Sequence, residues 1–361
     1  MVHDDEPVLL GRAGSTARIT LNRPRALNAL THPMVLTINA ALDRWERDAS
    51  VTAVILSGAG ERGLCAGGDI RAIHEDARAG ATATPAFWRD EYRLNSRIAH
   101  CPIPFVALMD GIVMGGGVGL SAHAAVRIVT ERSAVAMPET AIGLVPDVGG
   151  TYLLARAPGE LGTHLALTGN TVGAADALLC GLADHFVPAE RLTALCDALA
   201  APGVRDAAGV RETVLRYAAT PPGGRLAGDR PWIDACYAAG SVPEIVGRLL
   251  DSGVPAAKDA AQTLLSRSPT ALKATLAAIR RDGPPSTLEE TLDRAYRASC
   301  AALAHPDLVE GIRARLIDRD RAPRWSPREL AEVTEADVAR FAAPPPDGDL
   351  GLAEGTAHLT L

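Results

Sequence analysis

The residues best suited to chemistry fall in one short stretch and two loops. Met137-Pro138-Glu139-Thr140-Ala141-Ile142-Gly143-Leu144-Val145-Pro146-Asp147-Val148-Gly149-Gly150 carries two carboxylates, Glu139 and Asp147, in surroundings otherwise apolar and stiffened by proline and glycine. Such surroundings raise a carboxyl pKa towards the range where it exchanges protons near neutrality. Taken alone, the pair reads more readily as a helix cap and a turn aspartate. Cys65-Ala66-Gly67-Gly68-Asp69-Ile70 and Met114-Gly115-Gly116-Gly117-Val118-Gly119-Leu120 each follow a strand-like run and lead into a helix-like one. Small residues let the backbone approach a ligand, and N–H groups at a helix start favour negative charge. Two such loops, each aiming one N–H at a single oxygen, make a two-donor oxyanion hole. Their plainer readings are a loop with an aspartate N-cap for the first and tight helix packing or a dinucleotide loop for the second. Against the last, the Gly-x-Gly-x-x-Gly spacing is not met.

Other chemistries are excluded by inspection. There is no Gly-x-Ser-x-Gly elbow, and His74-Glu75 is not followed by a second histidine at zincin spacing. Lys258 and Lys273 are the only lysines, every other basic residue being arginine, so no phosphate loop of the Gly-Lys-Ser/Thr type exists. The 361 residues carry 36 basic and 43 acidic side chains, a net charge of −7, which argues against nucleic acid or an anionic membrane as partner. Nine histidines show no ligand spacing, and no metal is expected. Cys65, Cys101, Cys180, Cys196, Cys236 and Cys300 form no Cys-x-x-Cys pair and read as reduced thiols. The acidic start, Met1 to Pro7, lacks the basic and apolar regions of a secretory signal, and no apolar run suits a membrane span. A cytoplasmic protein is expected.

The elements that must position these residues are mixed in the first half. Residues 17–21 and 52–56 read as strands around an amphipathic helix, Met34 to Trp45, with Thr31 as its cap. Residues 104–109, 126–130 and 134–137 read as further strands, so the class is α/β. Beyond about residue 190 the alanine- and leucine-rich segments 189–200, 205–219, 242–252, 255–266, 269–281 and 286–303 predict helices. The expected organisation is a catalytic core over 1–190, a helical region over 191–342 that completes the same fold, and a flexible tail over 343–361.

Four segments together resemble the enoyl-CoA hydratase/isomerase, or crotonase, superfamily. They are Leu21-Asn22-Arg23-Pro24-Arg25-Ala26-Leu27-Asn28-Ala29-Leu30, the Ala66–Ile70 loop, Gly115-Gly116-Gly117 and the Pro138-Glu139 to Gly149-Gly150 stretch, in the family's order and approximate spacing. The resemblance implies an α/β, crotonase-like spiral of ββα units with a helical C-terminal region. It implies acyl-CoA thioesters as substrates and no cofactor, since CoA is part of the substrate. Carried over by position, Gly68 and Gly116 supply the oxyanion-hole N–H groups, and CoA lies along Arg25, Ala26, Ala66, Gly67, Gly68, Asp69 and Ile70. Hydratases of the family place one glutamate two residues after the Gly-Gly-Gly run and a second at the Pro-Glu position. Here those places hold Gly119 and Glu139.

The chain is similar instead to the branch that hydrolyses 3-hydroxyisobutyryl-CoA. It shares with that branch the segments 114–121, 136–143 and 146–150, and Arg89-Asp90-Glu91-Tyr92 in the helix before 104–109. The likeness continues through Ser268-Pro269-Thr270 and Glu310–Ala314 to Leu316-Ile317-Asp318-Arg319-Asp320 and Pro323-Arg324-Trp325. This implies hydrolysis of a short 3-hydroxyacyl-CoA, as in valine catabolism. Glu139 would act as general base or nucleophile, Asp147 would orient the substrate or protonate the departing thiolate, and Glu91 would contact the acyl hydroxyl or support the site wall. A hydratase or isomerase and a non-catalytic acyl-CoA binder are the other readings. The resemblance also implies a homo-oligomer, a trimer or hexamer, packed through C-terminal helices.

Overall fold

The computed structural model describes residues 6–204 and 206–356. Its contacts gather into two compact units. One comprises the chain up to Gly68 with Arg93–Val135 and Val172–Gly224; the other comprises Asp69–Tyr92, Ala136–Thr171 and the chain from Arg225 onward.

The first unit holds the strands β1 (Val8–Ala13), β2 (Thr16–Leu21), β3 (Ala53–Gly58), β4 (Gly63–Cys65), β5 (Phe105–Met109), β6 (Ile112–Met114), β7 (Val126–Val129), β8 (Ala134–Ala136, its last residue in the second unit) and β9 (His185–Phe186). Six of them form a sheet in the order β1-β2-β3-β5-β7-β9, and the other three form a smaller sheet, β4-β6-β8. In the six-stranded sheet β1 and β2 pair antiparallel, and the pairs β2–β3, β3–β5, β5–β7 and β7–β9 are parallel. Parallel strands are covered on both faces and read as continuous apolar runs, as all five buried residues of β5 do. Ile55, Val106, Leu108 and Ile128 pack with Leu195, Val210 and Val214 in one core cluster. In chain order β3-β4, β5-β6 and β7-β8 are each followed by a helix or 3₁₀ turn: Ile70–Ala79, Gly116–Ser121 and Glu139–Ile142. This is the expected succession of ββα units, each giving one strand to each sheet.

The helix His32–Trp45 buries Met34, Val35, Ile38, Ala41 and Leu42, the predicted stripe. Thr31 occupies its N-cap, but the threonine side chain makes no capping hydrogen bond. The strands β1, β4, β6 and β9 go beyond the sequence reading. The last three run only two or three residues, too short to show periodicity.

In the second unit the helices Val242–Asp251, Pro255–Leu265, Pro269–Arg281 and Leu288–Leu303 stand close to their predicted bounds. Ser268 and Thr287 cap two of them through their side chains, and Thr287 closes a capping box with Glu290. Leu226–Tyr237 was not predicted; it carries Pro231 in its interior, a residue that ordinarily marks a break. Residues 343–356 depart from the expected flexible tail. Arg297 holds the Asp349 carboxylate at 2.6 and 2.7 Å, Leu350 is buried, and Asp293 accepts from the N–H groups of Leu352 and Ala353 at the start of a helix, Leu352–Thr356. The rest of that segment, 357–361, lies outside the described residues. No helix among the described residues is long and apolar enough to cross a membrane.

Candidate active site

In the first unit the Asn22–Leu30 motif and the two glycine loops form one backbone assembly. Leu30 N–H donates to Gly67 O at 2.8 Å and Ala66 N–H donates to Leu27 O at 3.0 Å. Asn28, fully buried, accepts from Arg23 N–H at 2.9 Å and donates to Ala59 O and Gly63 O, both at 3.0 Å. Arg62 donates to Pro24 O at 2.6 Å and to Arg25 O at 3.1 Å, which fixes the turn that leaves Arg25 and Ala26 exposed. The first glycine loop then touches the second. Gly67 has φ of +106°, and a Cβ there would lie 3.2 Å from Met114 O and 3.6 Å from Gly116 N; a Cβ on Gly117 would clash with Cys65 O. Glycine is required at both positions, one for its dihedral and one for the close approach. Gly115, at φ of +49°, turns the chain so that Gly116 is the first residue of the helix Gly116–Ser121. The Gly116 N–H therefore has no partner within that helix. The structure thus brings Gly68 and Gly116 to adjoining loops, with the Arg25 turn hydrogen-bonded to the first of them. Gly119, two residues beyond the run, is buried in the same helix.

Asp69 and Ile70 open the second unit, where Asp69 is the N-cap of Ile70–Ala79 and accepts from Ala72 N–H at 3.4 Å. The carboxylates Glu91, Glu139 and Asp147 lie in this unit, and all are buried, with 2, 5 and 7 % exposure. Glu139 starts a 3₁₀ turn after Pro138, and Gly143 ends it in the left-handed region, where a Cβ would stand 2.6 Å from the Asp307 backbone. Val148, buried beside Asp147, holds φ of +49°, a strained value for a β-branched residue. Tyr92 Oη–H donates to Asp147 Oδ2 at 2.8 Å, so the Ser299 hydroxyl, 2.7 Å away, is the donor to Tyr92. One oxygen of Glu91 and one of Glu139 are buried with no hydrogen-bond partner.

This environment sets the protonation states. Burial, and then the charge of Asp147, lifts Glu139 well above the ordinary carboxyl range, and the same two causes lift Glu91. Burial raises Asp147 to about 6, with the Tyr92 hydrogen bond acting in the opposite direction. Three neighbouring carboxyls that cannot all ionise together are suited to passing a proton near neutrality. The sequence pointed to Glu139, Asp147 and Glu91 but not to the Tyr92 hydroxyl or Ser299. Tyr92 is adjacent to Glu91 in the chain, yet nothing in its spacing links it to Asp147, and Ser299 sits in an ordinary alanine-rich helix. His164 is a core residue, packed edge-on to Trp232 and Tyr237, and burial lowers it to about 4. Among the described residues no group of three or more His, Cys, Asp or Glu could hold a metal.

A family model described as enoyl-CoA hydratase/isomerase matches residues 16–342. The chain is 44% identical to "3-hydroxyisobutyryl-CoA hydrolase, mitochondrial" of Rattus norvegicus, over 92% of this chain and 88% of that protein. It is 44% identical to the human protein of the same description, over 92% and 87%. Among solved structures it is similar to a carnitinyl-CoA dehydratase from Mycobacterium thermoresistibile, with a TM-score of 0.91 and 50% identity over 95% of this chain and 98% of that one. An enoyl-CoA hydratase from Rhodobacter sphaeroides 2.4.1 gives 0.89 and 45% over 96% and 99%.

Proposed function

The chain belongs to the enoyl-CoA hydratase/isomerase family, and from that premise we propose that it hydrolyses 3-hydroxyisobutyryl-CoA, or a similar short 3-hydroxyacyl-CoA, to the free acid and CoA. The observation that carries this reading is residue 119. Glu139 is retained, while the position of the second hydratase glutamate is a buried glycine, so no carboxylate is supplied there to share in adding water across a double bond. Curated relatives described as hydrolases support it across nine-tenths of the chain. The descriptions of the two solved relatives favour a hydratase or dehydratase as the second reading.

In this proposal the N–H groups of Gly68 and Gly116 receive the thioester oxygen as it becomes an oxyanion. Each such donor is worth about 3–4 kcal/mol in the transition state. Water attacks the carbonyl carbon and gives a proton to Glu139, or Glu139 attacks first and water resolves the anhydride. The C–S bond then breaks, and the thiolate leaves with a proton passed through Asp147. Glu91, with one buried oxygen still unpartnered, takes the acyl hydroxyl. CoA lies along Arg25, Ala26 and the 66–70 loop, where Arg25 is exposed and makes no ion pair among the described residues. No cofactor is required. No disulfide joins the six cysteines among the described residues, which suits a reducing compartment such as the cytoplasm, and the reaction would serve valine breakdown. A homo-oligomer is part of the proposal, checked by light scattering.

The experiment is incubation with 3-hydroxyisobutyryl-CoA and a thiol reagent, beside crotonyl-CoA hydration followed by loss of enoyl absorbance. Prompt hydration without release of free CoA would overturn the hydrolase reading.

A further inference from the structure

The Leu316–Asp320 run and the Pro323-Arg324-Trp325 motif take no part in the proposed chemistry, yet they border a cleft of the second unit that three arginines line. The cleft, of about 530 Å³, is lined by Ser266, Arg321, Arg324, Trp325 and Arg328, among others. The carboxylates close to it in the chain are already engaged: Arg313 pairs with Glu310, Asp318 and Asp320 at 2.8, 2.6 and 2.7 Å, Glu332 accepts from the backbone N–H groups of Arg328 and Glu329, and the Glu329 side chain caps the following turn. Arg324 donates its backbone N–H to Glu310, and its charge contributes, after the Arg313 hydrogen bonds, to holding Glu310 and Asp320 below the ordinary carboxyl range, without an ion pair among the described residues. Arg315, Arg321 and Arg328 are exposed and have neither an ion pair nor a side-chain hydrogen bond among the described residues. Charge repulsion runs through the group, since desolvation and then Arg321 lower the pKa of Arg315, while burial and then Arg315 lower Arg267 to about 10.

The backbone is strained at the same place. Arg319 and Arg321 hold φ of +60° and +54°, where a glycine would sit without cost, and Arg313–Ile317 is a single π-helical turn. The Trp325 indole is fixed by its N–H to Ser266 O at 3.1 Å and remains only half-buried. In a chain of net charge −7, unpaired arginines gathered around one cleft on a strained loop repel one another. Guanidinium groups match phosphate oxygens two at a time, and an indole is a stacking surface for an aromatic base. The cleft volume is in the range of small-molecule sites.

We infer that this cleft binds a nucleotide bearing two or more phosphates, with the phosphates on Arg321, Arg324 and Arg328 and the base against Trp325. That chemistry has two sources: the nucleotide end of an acyl-CoA substrate, which rests on the thioester reading above, or a free nucleotide.

Calorimetric titration of the full chain with adenosine 3′,5′-bisphosphate and with ATP tests it. At low salt the wild-type chain binds at least one of the two, with affinity falling about tenfold or more by physiological salt. The double variant Arg321→Ala/Arg328→Ala, both positions being exposed, keeps its melting temperature and loses about tenfold or more in affinity. A wild-type chain that binds neither probe, or binds them without salt dependence, overturns the inference, as does a folded double variant that binds as the wild type does. The source is read from kinetics. A KM for 3-hydroxyisobutyryl-CoA that rises in the double variant with kcat unchanged, while a pantetheine thioester lacking the nucleotide is unaffected, assigns the cleft to the substrate. An unchanged KM beside lost nucleotide binding assigns it to a free nucleotide. If no thioester is hydrolysed at all, the proposed function fails while the titration still decides the cleft.

Discussion

At the scale of single residues, the carboxyl cluster couples stored protons to one hydrogen-bond relay. Asp147 is the member whose charge is most accessible, because Tyr92 donates to it and partly offsets the burial that raises its pKa to about 6. Glu139 must be ionised to take a proton or attack, and Asp147 must be ionised to relay one, so kcat falls as pH drops, with the Asp147 limb at about 6. Tyr92→Phe removes the donor, so the acid limb moves to higher pH and kcat falls about tenfold or more at neutrality. Ser299→Ala, one bond further away, moves the limb less. A pH–rate profile checks both, and an unshifted limb in Tyr92→Phe would show that the phenol only packs. Glu139→Gln keeps the shape of the side chain and removes its titration. It should abolish hydrolysis while leaving CoA affinity nearly intact, measured by calorimetry; a fully active variant removes Glu139 from the mechanism.

At the scale of elements, the site depends on glycines that let two loops touch. Gly117→Ala places a methyl group against Cys65 O and forces the loops apart at the point where Gly68 and Gly116 are positioned. The expected result is a loss of kcat of about 10²–10³, comparable to the loss of one oxyanion donor, with retained secondary structure by circular dichroism. Gly173→Ala, with open space around its Cβ, should leave kcat unchanged. The sequence was informative where periodicity or motif ran long. It placed the helix His32–Trp45, the parallel strands β2, β3, β5 and β7, both glycine loops and the Glu139–Asp147 stretch within a few residues. It missed β4 and β6, because a three-residue strand carries no alternation, and Leu226–Tyr237, because Pro231 reads as a stop. The 343–356 segment read as loose because its anchors are single polar contacts, Arg297 with Asp349 and Asp293 with two N–H groups. Such contacts lie far apart in sequence and leave no hydrophobic pattern.

At the scale of the whole molecule, the chemistry has a stability cost. Glu91, Glu139 and Asp147 all bind protons more tightly folded than unfolded. The stability they contribute is fully present below the ordinary carboxyl range, near pH 4, and is lost as pH rises through about 6 and beyond. Asp147→Asn keeps an acceptor for Tyr92 and cannot ionise. It should stabilise the protein by about 1–3 kcal/mol at pH 8, seen as a rise of a few degrees in melting temperature, with little change at pH 4. An equal shift at both pH values would mean that the buried charge is not the cause. Relatives described as hydrolases and as hydratases both match nearly the whole chain, so the decision between the two readings rests on Gly119 and the retained Glu139. The most direct test is therefore the release of free CoA from 3-hydroxyisobutyryl-CoA by the wild-type chain, compared under the same conditions with hydration of crotonyl-CoA. Stoichiometric CoA release with little or no hydration is the predicted result; rapid hydration with no free CoA would contradict it.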